Sequence, residues 1–415
     1  MPVSKGRNKA IIFAAQANYE YVTTIFLLIF GTIIVNSSLN IGYSPSSILI
    51  NQNSNMKNLA FLLVIFLMVA QGASAQKKAK KNTNSNKTAY KVVCVGFYNL
   101  ENLFDTLNTP DVRDTDFTPT GSYAYTGEVY QEKLQNLSYV VSQLGTEKTA
   151  DGAALLGVCE IENKDVLDDF VKQPLIKDRN YQIVHYNSLD KRGIDVGLLY
   201  NPKYFSVIES GKITPKLFYD NENDGKEVEK RDTVFTRDML WVKGKLDGEE
   251  VYAIVCHWPS RRGGSYLREG AAKFCKDFTD KILEKEPNAK IIIMGDLNDD
   301  PVSPSVKSVI GARAKKEQTK KGQFFNPAYT LYTQGLGTLA WNDSWNLFDQ
   351  MLVSHALLND NKGYRFYAYS RFNKPFLLNK AGRYKGYPYR TYVGGKYQGG
   401  YSDHLPVYMY LVKKK

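Results

Sequence analysis

The sequence predicts a layered α/β sandwich in one domain. Three observations predict it: apolar runs that end abruptly in polar residues, two long segments with helical spacing, and a tight-turn signature joining two of the runs. The sharpest run is KIIIMGDLNDDP, Lys290–Pro301. Its three isoleucines and methionine carry no polar edge, which reads as a strand buried on both faces. It stops at Gly295 and delivers Asp296, Asn298, Asp299 and Asp300 at its carboxyl end, where sites sit in open α/β sheets.

The elements follow in order. Lys91–Tyr98 is a strand, from its valine-rich core. Val129–Leu144 is a helix, with Leu134, Leu137, Val140, Val141 and Leu144 on one face. Ala153–Ile161 is a strand and Lys164–Lys172 a short helix. Tyr181–His185 and Ile194–Tyr200 are strands. Met239–Lys245 and Glu250–Cys256 flank Leu246-Asp247-Gly248-Glu249, a hairpin signal. Tyr266–Leu283 is an amphipathic helix feeding the Lys290 strand. Phe348–Val353 and Leu405–Leu411 close the set, and no internal repeat interrupts it.

The chain has 415 residues, 43% of them hydrophobic, enough for a large core. Its formal charge is +12, from 54 basic and 42 acidic residues. Without residues 1–75, which hold four of the basics and one acid, the balance is 50 − 41 = +9. A basic surface favours polyanions: nucleic acid, anionic lipid or phosphorylated metabolites. The four cysteines, Cys94, Cys159, Cys256 and Cys275, form no CxxC pair and read as small buried residues rather than ligands or a disulfide framework.

Two apolar segments precede the domain. Met56-Lys57-Asn58, the run Leu59–Ala70 and the A-x-A end at Ala73–Ala75 form a secretory signal peptide, 56–75, cleaved after Ala75. The protein is therefore expected to be exported, to periplasm or medium. No cysteine follows the cleavage point, so no lipoprotein anchor is signalled. Residues 1–55 read as an over-extended start ahead of Met56. The rival reading, Val22–Val35 as an anchor, is short for a spanning helix, and no stable membrane anchor is expected. Residues 76–89 are a polar, basic, disordered leader, and 90–415 the folded domain.

Several strand ends carry polar residues out of apolar runs. They are Tyr98-Asn99-Leu100-Glu101-Asn102, Cys159-Glu160-Ile161-Glu162-Asn163, His257-Trp258-Pro259-Ser260-Arg261-Arg262, Gly295-Asp296-Leu297-Asn298, Phe348-Asp349-Gln350-Met351, and Ser402-Asp403-His404-Leu405-Pro406. A strand ending in Gly-Asp also occurs in Walker B sites, but there is no GxxxxGK[ST] loop here. A calcineurin-like phosphoesterase needs an early Asp-x-His and a later Gly-Asn-His, and neither is present among four histidines. Taken in order, YNLEN, CEIEN, HWPSR, GDLND, FDQMLVS and SDHLPV resemble the endonuclease/exonuclease/phosphatase superfamily with its DNase I-like nucleases. The resemblance spans Tyr90–Val412. It implies a four-layer α/β sandwich, two packed mixed β-sheets flanked by helices, and divalent-metal-dependent hydrolysis of a phosphoester.

The residue types suit that chemistry. Glu160, Glu101 and Asp403 offer hard oxygen ligands, with Asn99 a neutral one, a set suited to Mg²⁺, with Mn²⁺ or Ca²⁺ as alternatives. Family position favours Glu160 over Glu162, which could face the same way. Asp296 and Asn298 lie two apart, so an extended backbone would aim both at one phosphate, as acceptor for the nucleophilic water and donor to an oxygen. His404 is the acid/base or phosphate-binding group, with Asp349 fixing its tautomer. Water activation is open between Asp296 and His404, with Asp296 preferred. His257, followed by an Arg- and Gly-rich loop, is where DNase I-like enzymes and several phosphatase branches carry histidine and abasic-site endonucleases asparagine. It argues against DNA repair. Asp195 is a candidate polar contact, Arg261 and Arg262 candidate phosphate contacts, and His185 and His355 read as structural.

From Asp360 to Asp403 no acid intervenes, while eight basics run from Arg365 to Lys396 and nine tyrosines from Tyr364 to Tyr401. Basic residues among aromatics suit phosphates and stacked bases, with Arg383, Lys385 and Arg390 as candidate contacts. An added hairpin is the plain structural reading of the same stretch, and the charge would also suit anionic lipid. Nucleic acid is the expected substrate, a lipid or inositol phosphate (sphingomyelinase-like) the alternative, and a non-catalytic binding module a third. The sequence does not address oligomeric state.

Overall fold

The computed structural model describes residues 89–219 and 232–415. The expected signal peptide at 56–75, the stretch 1–55 and the leader up to residue 88 lie outside them. The first half comprises β1 (Tyr90–Leu103), α1 (Gly127–Gln143), β2 (Ala153–Ile161), α2 (Lys164–Val171), β3 (Gln182–His185), β4 (Asp195–Tyr200), β5 (Phe205–Ile213), β6 (Leu217–Phe218), β7 (Thr233–Val234), β8 (Met239–Leu246) and β9 (Glu249–His257). The second comprises α3 (Ser265–Lys285), β10 (Ile291–Asp296), β11 (Phe324–Phe325), α4 (Ala328–Thr333), β12 (Leu339–Trp341), β13 (Ser344–Asn346), β14 (Asp349–Ser354), β15 (Arg365–Arg371), β16 (Tyr392–Val393), β17 (Lys396–Tyr397) and β18 (Val407–Lys414).

Two mixed sheets of six strands pack face to face, ordered β15-β18-β1-β2-β4-β3 and β11-β14-β10-β9-β8-β5. The alternation of β1 assigns its two faces. Val93, Val95 and Phe97 enter the core between the sheets, while Cys94 and Tyr98 face the helix layer. Met294, Met351 and Val353 meet them from the second sheet. Helix α1 covers the first sheet with Leu134, Leu137, Val140 and Val141, and Thr126 caps it by accepting from the Val129 N–H. Helix α3 covers the second with Leu267, Ala271, Ala272 and Cys275. The result is helix, sheet, sheet, helix: the four-layer sandwich. All four cysteines are free and buried. No helix among the described residues is long and apolar enough to cross a membrane.

Strands β1 and β2 run parallel, as do β9 and β10, while β4, β14 and β18 run against their neighbours. The carboxyl ends of the first four and the amino ends of the last three therefore share one edge of the sandwich. Gly295 fixes a close approach there, because a Cβ on it would lie 2.2 Å from the Cys256 carbonyl oxygen. The Asp247-Gly248 turn joins β8 to β9 with both residues at positive φ, 47° and 85°. Strands β5 and β15 escaped the periodicity reading. Both are edge strands whose many half-exposed positions weaken the apolar signal.

Candidate active site

The carboxyl end of β10 sets the first row. Asp296 registers with His257 on β9 and with Asp349 on β14. Asp349 is fully buried and its Oδ2 accepts from His404 Nδ1 at 2.7 Å. His404 Nε2 then faces Asp296 Oδ2 at 3.7 Å. Ser402 links this group to β1, donating to the Asn99 carbonyl at 2.8 Å and accepting the His404 N–H at 3.0 Å.

The first sheet supplies the facing wall. A bulge between Cys159 and Ile161 turns Glu160 out of the ladder at φ 58°, a conformation that non-glycine residues adopt at a cost, often at functional sites. Its Oε2 accepts the Asn102 N–H, and its Oε1 lies 3.8 Å from His257 Nε2. That nitrogen is 3.7 Å from Asp296 Oδ2. Asn99 donates its amide to both carboxylates, at 3.3 Å to Glu160 and 3.1 Å to Asp296. Glu162, two residues on, instead accepts from the Asp105 N–H and the Thr109 hydroxyl.

Burial separates the titrating groups. It pushes Asp296 up to about 7, against the pull of His404 and with help from Asp349. Burial would lower His404, but Asp349 and Asp296 outweigh it and hold the ring well above its usual value. His257 is driven well below its usual value by burial and by the cations Arg237 and Arg192, so it is a neutral imidazole. Its buried Nδ1 has no hydrogen-bond partner.

Glu160, His257 and Asp296 bring one donor atom each to within 4.8 Å of one another, as do Asp296, Asp349 and His404. Two carboxylates and a neutral imidazole, whose Nε2 lies 3.8 and 3.7 Å from Glu160 and Asp296, fit a divalent cation. Of the ligands expected from sequence, Glu160 belongs to the first of these groups. Asn99 turns its oxygen to the Glu101 N–H and offers its NH₂ instead. Glu101 and Asp403 are drawn off by Arg390, which pairs with them at 2.8 and 3.0 Å, and Glu101 also accepts the Thr391 N–H.

Other expected residues divide similarly. Asn298 is not extended. At φ 50° its N–H caps Asp296 Oδ1, and its Nδ2 donates to the Trp258 carbonyl at 2.9 Å, because the strand ends at Asp296. Asp195 is buried at the start of β4, with its oxygens on His185 Nε2 and the Ser188 N–H, which orders that loop. Arg261 is tied to Asp300 at 2.8 Å and to Asn346, which gives the acids before Pro301 a partner. Arg262 is exposed. Of the basic, tyrosine-rich stretch, Arg365–Arg371 is an edge strand and β16–β17 a small hairpin. Arg383 lines a cavity beside Glu101 and Asp403, Arg390 bridges those acids, and Lys385 is exposed away from the cavity lining.

Sequence reasoning missed Lys133, Arg192 and Arg237. Lys133 is buried, donates to Thr391 Oγ1 at 2.7 Å, and is lowered to about 8 by burial against the pull of Glu101 and Asp403. Its signal was legible, since it falls on the apolar stripe of α1 with Tyr130, Leu134 and Leu137. Arg237 donates to the Trp258 carbonyl at 2.7 Å, a tertiary contact with no local signature.

Comparison with known proteins adds three findings. Residues 94–413 match the model of a family described as the endonuclease/exonuclease/phosphatase family. No curated protein matches the chain. Among solved structures, an endonuclease/exonuclease/phosphatase family protein from Bacteroides thetaiotaomicron is 17% identical, with TM-score 0.46, covering 79% of this chain and 97% of its own. A mannosyl-6-phosphatase from the same organism is 16% identical, with TM-score 0.45, covering 77% and 99%. The human nocturnin catalytic domain with bound sulfate is 14% identical, with TM-score 0.44, covering 78% and 96%.

Proposed function

The chain belongs to the endonuclease/exonuclease/phosphatase family of metal-dependent phosphoester hydrolases, and on that premise we propose that it is an exported, Mg²⁺-dependent phosphodiesterase acting on nucleic acid. The carrying observation is the Asp349–His404 pair, 2.7 Å apart, set beside Asp296 and Glu160. Export rests on the sequence at 56–75, and nucleic acid on the basic, tyrosine-rich segment before Asp403.

Glu160, Asp296 and His257 would hold the cation, which supplies charge neutralisation at the phosphate and its leaving oxygen. Asp349 keeps His404 charged, with Nδ1–H donated to the carboxylate and Nε2–H turned toward the site. A scissile phosphate there would receive that hydrogen bond, and as its P–O bond to the leaving group breaks, the leaving oxygen would take the proton. Asp296, which faces His404 Nε2 at 3.7 Å, would orient an attacking water and accept its proton. Asn99 holds Asp296 and Glu160 at fixed separation.

A compact phosphorylated head group is the second reading, favoured by Lys133 and Arg383 lining one cavity at the site. A substrate panel separates the two: plasmid DNA, RNA, sphingomyelin and inositol phosphates, each with Mg²⁺ and with chelator. Nucleic acid is expected to be cleaved with Mg²⁺ alone. Cleavage of lipid or inositol phosphate without nucleic acid overturns the first reading.

A further inference from the structure

The cavity beside Glu101 and Asp403 has a volume of about 710 Å³, and three separate segments build its walls. One brings Phe117 and Tyr123, the β12–β13 hairpin brings Trp341, and the loop before β16 brings Tyr384 and Tyr387. The walls are fastened to each other. Tyr387 donates its hydroxyl to the Asp343 carboxylate at 2.6 Å and accepts the Asp343 N–H at 2.7 Å. Tyr392 donates to the Tyr123 carbonyl, with the rings 4.8 Å apart. Arg390 fastens the same loop to Glu101 and Asp403. Glu101 and Asn102 then lead directly to Glu160, which accepts the Asn102 N–H.

Much of the chemistry facing the cavity is aromatic. Asn379 donates to the Tyr387 and Pro388 carbonyls, Tyr387 is held by Asp343, and Arg390 by two acids. Arg383 stays on the lining, 5.8 Å from the Tyr384 ring centre, as a cation beside the ring faces. Trp341 is 65% exposed and Tyr384 40% exposed, and no ring stacks on Trp341 among the described residues. A planar heterocycle needs faces, and every base has one.

We propose that this cavity is a subsite for one unpaired nucleobase, adjoining the scissile phosphate and stacking on Trp341 and Tyr384. The proposal rests on the phosphodiesterase reading and narrows it. The substrate is a single strand or a frayed end, since a cavity of this size takes one nucleoside and not a duplex.

The test compares ligands that differ only by the base. Calorimetric titration of the full chain with AMP and with ribose 5-phosphate should give AMP the tighter affinity by about 5- to 150-fold, the range of one base–aromatic stack. Trp341→Ala, at an exposed hairpin, should abolish most of that preference while leaving ribose 5-phosphate unchanged; Tyr384→Ala should act likewise. Equal affinities for the two ligands overturn the subsite, as does a variant that weakens both equally. Cleavage of a normal and an abasic oligonucleotide with Mg²⁺ separates the two readings. Equal rates overturn the subsite and leave the hydrolase standing. Cleavage of neither counts against the hydrolase, and the AMP to ribose 5-phosphate ratio still decides the subsite.

Discussion

Asp349→Asn is the most discriminating single change. It keeps the shape of a fully buried side chain and removes only the charge that faces His404 Nδ1 at 2.7 Å. A hydrogen bond to a charged group contributes about 1.5–3 kcal/mol. Losing the charge should therefore bring His404 down from its raised value, with burial now less opposed. With less of the ring protonated, kcat/KM near neutral pH should fall about 10- to 100-fold, and the His404 limb of the pH–rate profile should move to lower pH. Stability follows the same sign. A raised histidine stabilises the fold fully below its unfolded value of 6.5, and that contribution is lost as pH rises through the folded value. The variant should thus lose more stability in acid than in base. The assay pairs a pH–rate profile with an NMR titration of the His404 ring. If the ring titrates as in the parent and the two profiles superimpose, the pairing does not tune His404 and the argument fails.

Two further expectations concern charge. Because Asp296 titrates at about 7, a proton competes with a cation below that pH, so metal affinity measured calorimetrically should climb as pH rises toward 7 and level off above it. A flat pH dependence would place the cation elsewhere. In metal-free protein, ionising Asp296 should also erode stability as pH climbs from 3.8 toward 7. Arg390→Ala should lower stability by roughly 1–3 kcal/mol, less than the loss for a fully buried pair because the side chain is 36% exposed. A calorimetric melting temperature equal to the parent's would show that Glu101 and Asp403 do not depend on it.

Most of the strand framework was legible in the chain, because strands buried on both faces carry uninterrupted apolar runs and the helices show their 3.6-residue period. Gly295-Asp296, the Asp247-Gly248 turn and the ends at Glu160 and His257 follow from local pattern. Edge strands β5 and β15 did not, since half-exposed positions leave little periodic signal. Within the site, residue types and strand ends named Glu160, Asp296, Asp349, His257 and His404. Which of these groups face one another could not be read from spacing. Arg390, some 290 residues from Glu101 in the chain, lies against it in space and draws both Glu101 and Asp403 into ion pairs. The same long-range packing turned Asp195 toward His185 and Asn298 toward Trp258. Sequence determined which chemical groups arrive at the sandwich edge, because strand periodicity and termination are local. Tertiary structure alone decided which of those groups face one another, because a carboxylate is committed by whichever donor or cation the fold brings nearest.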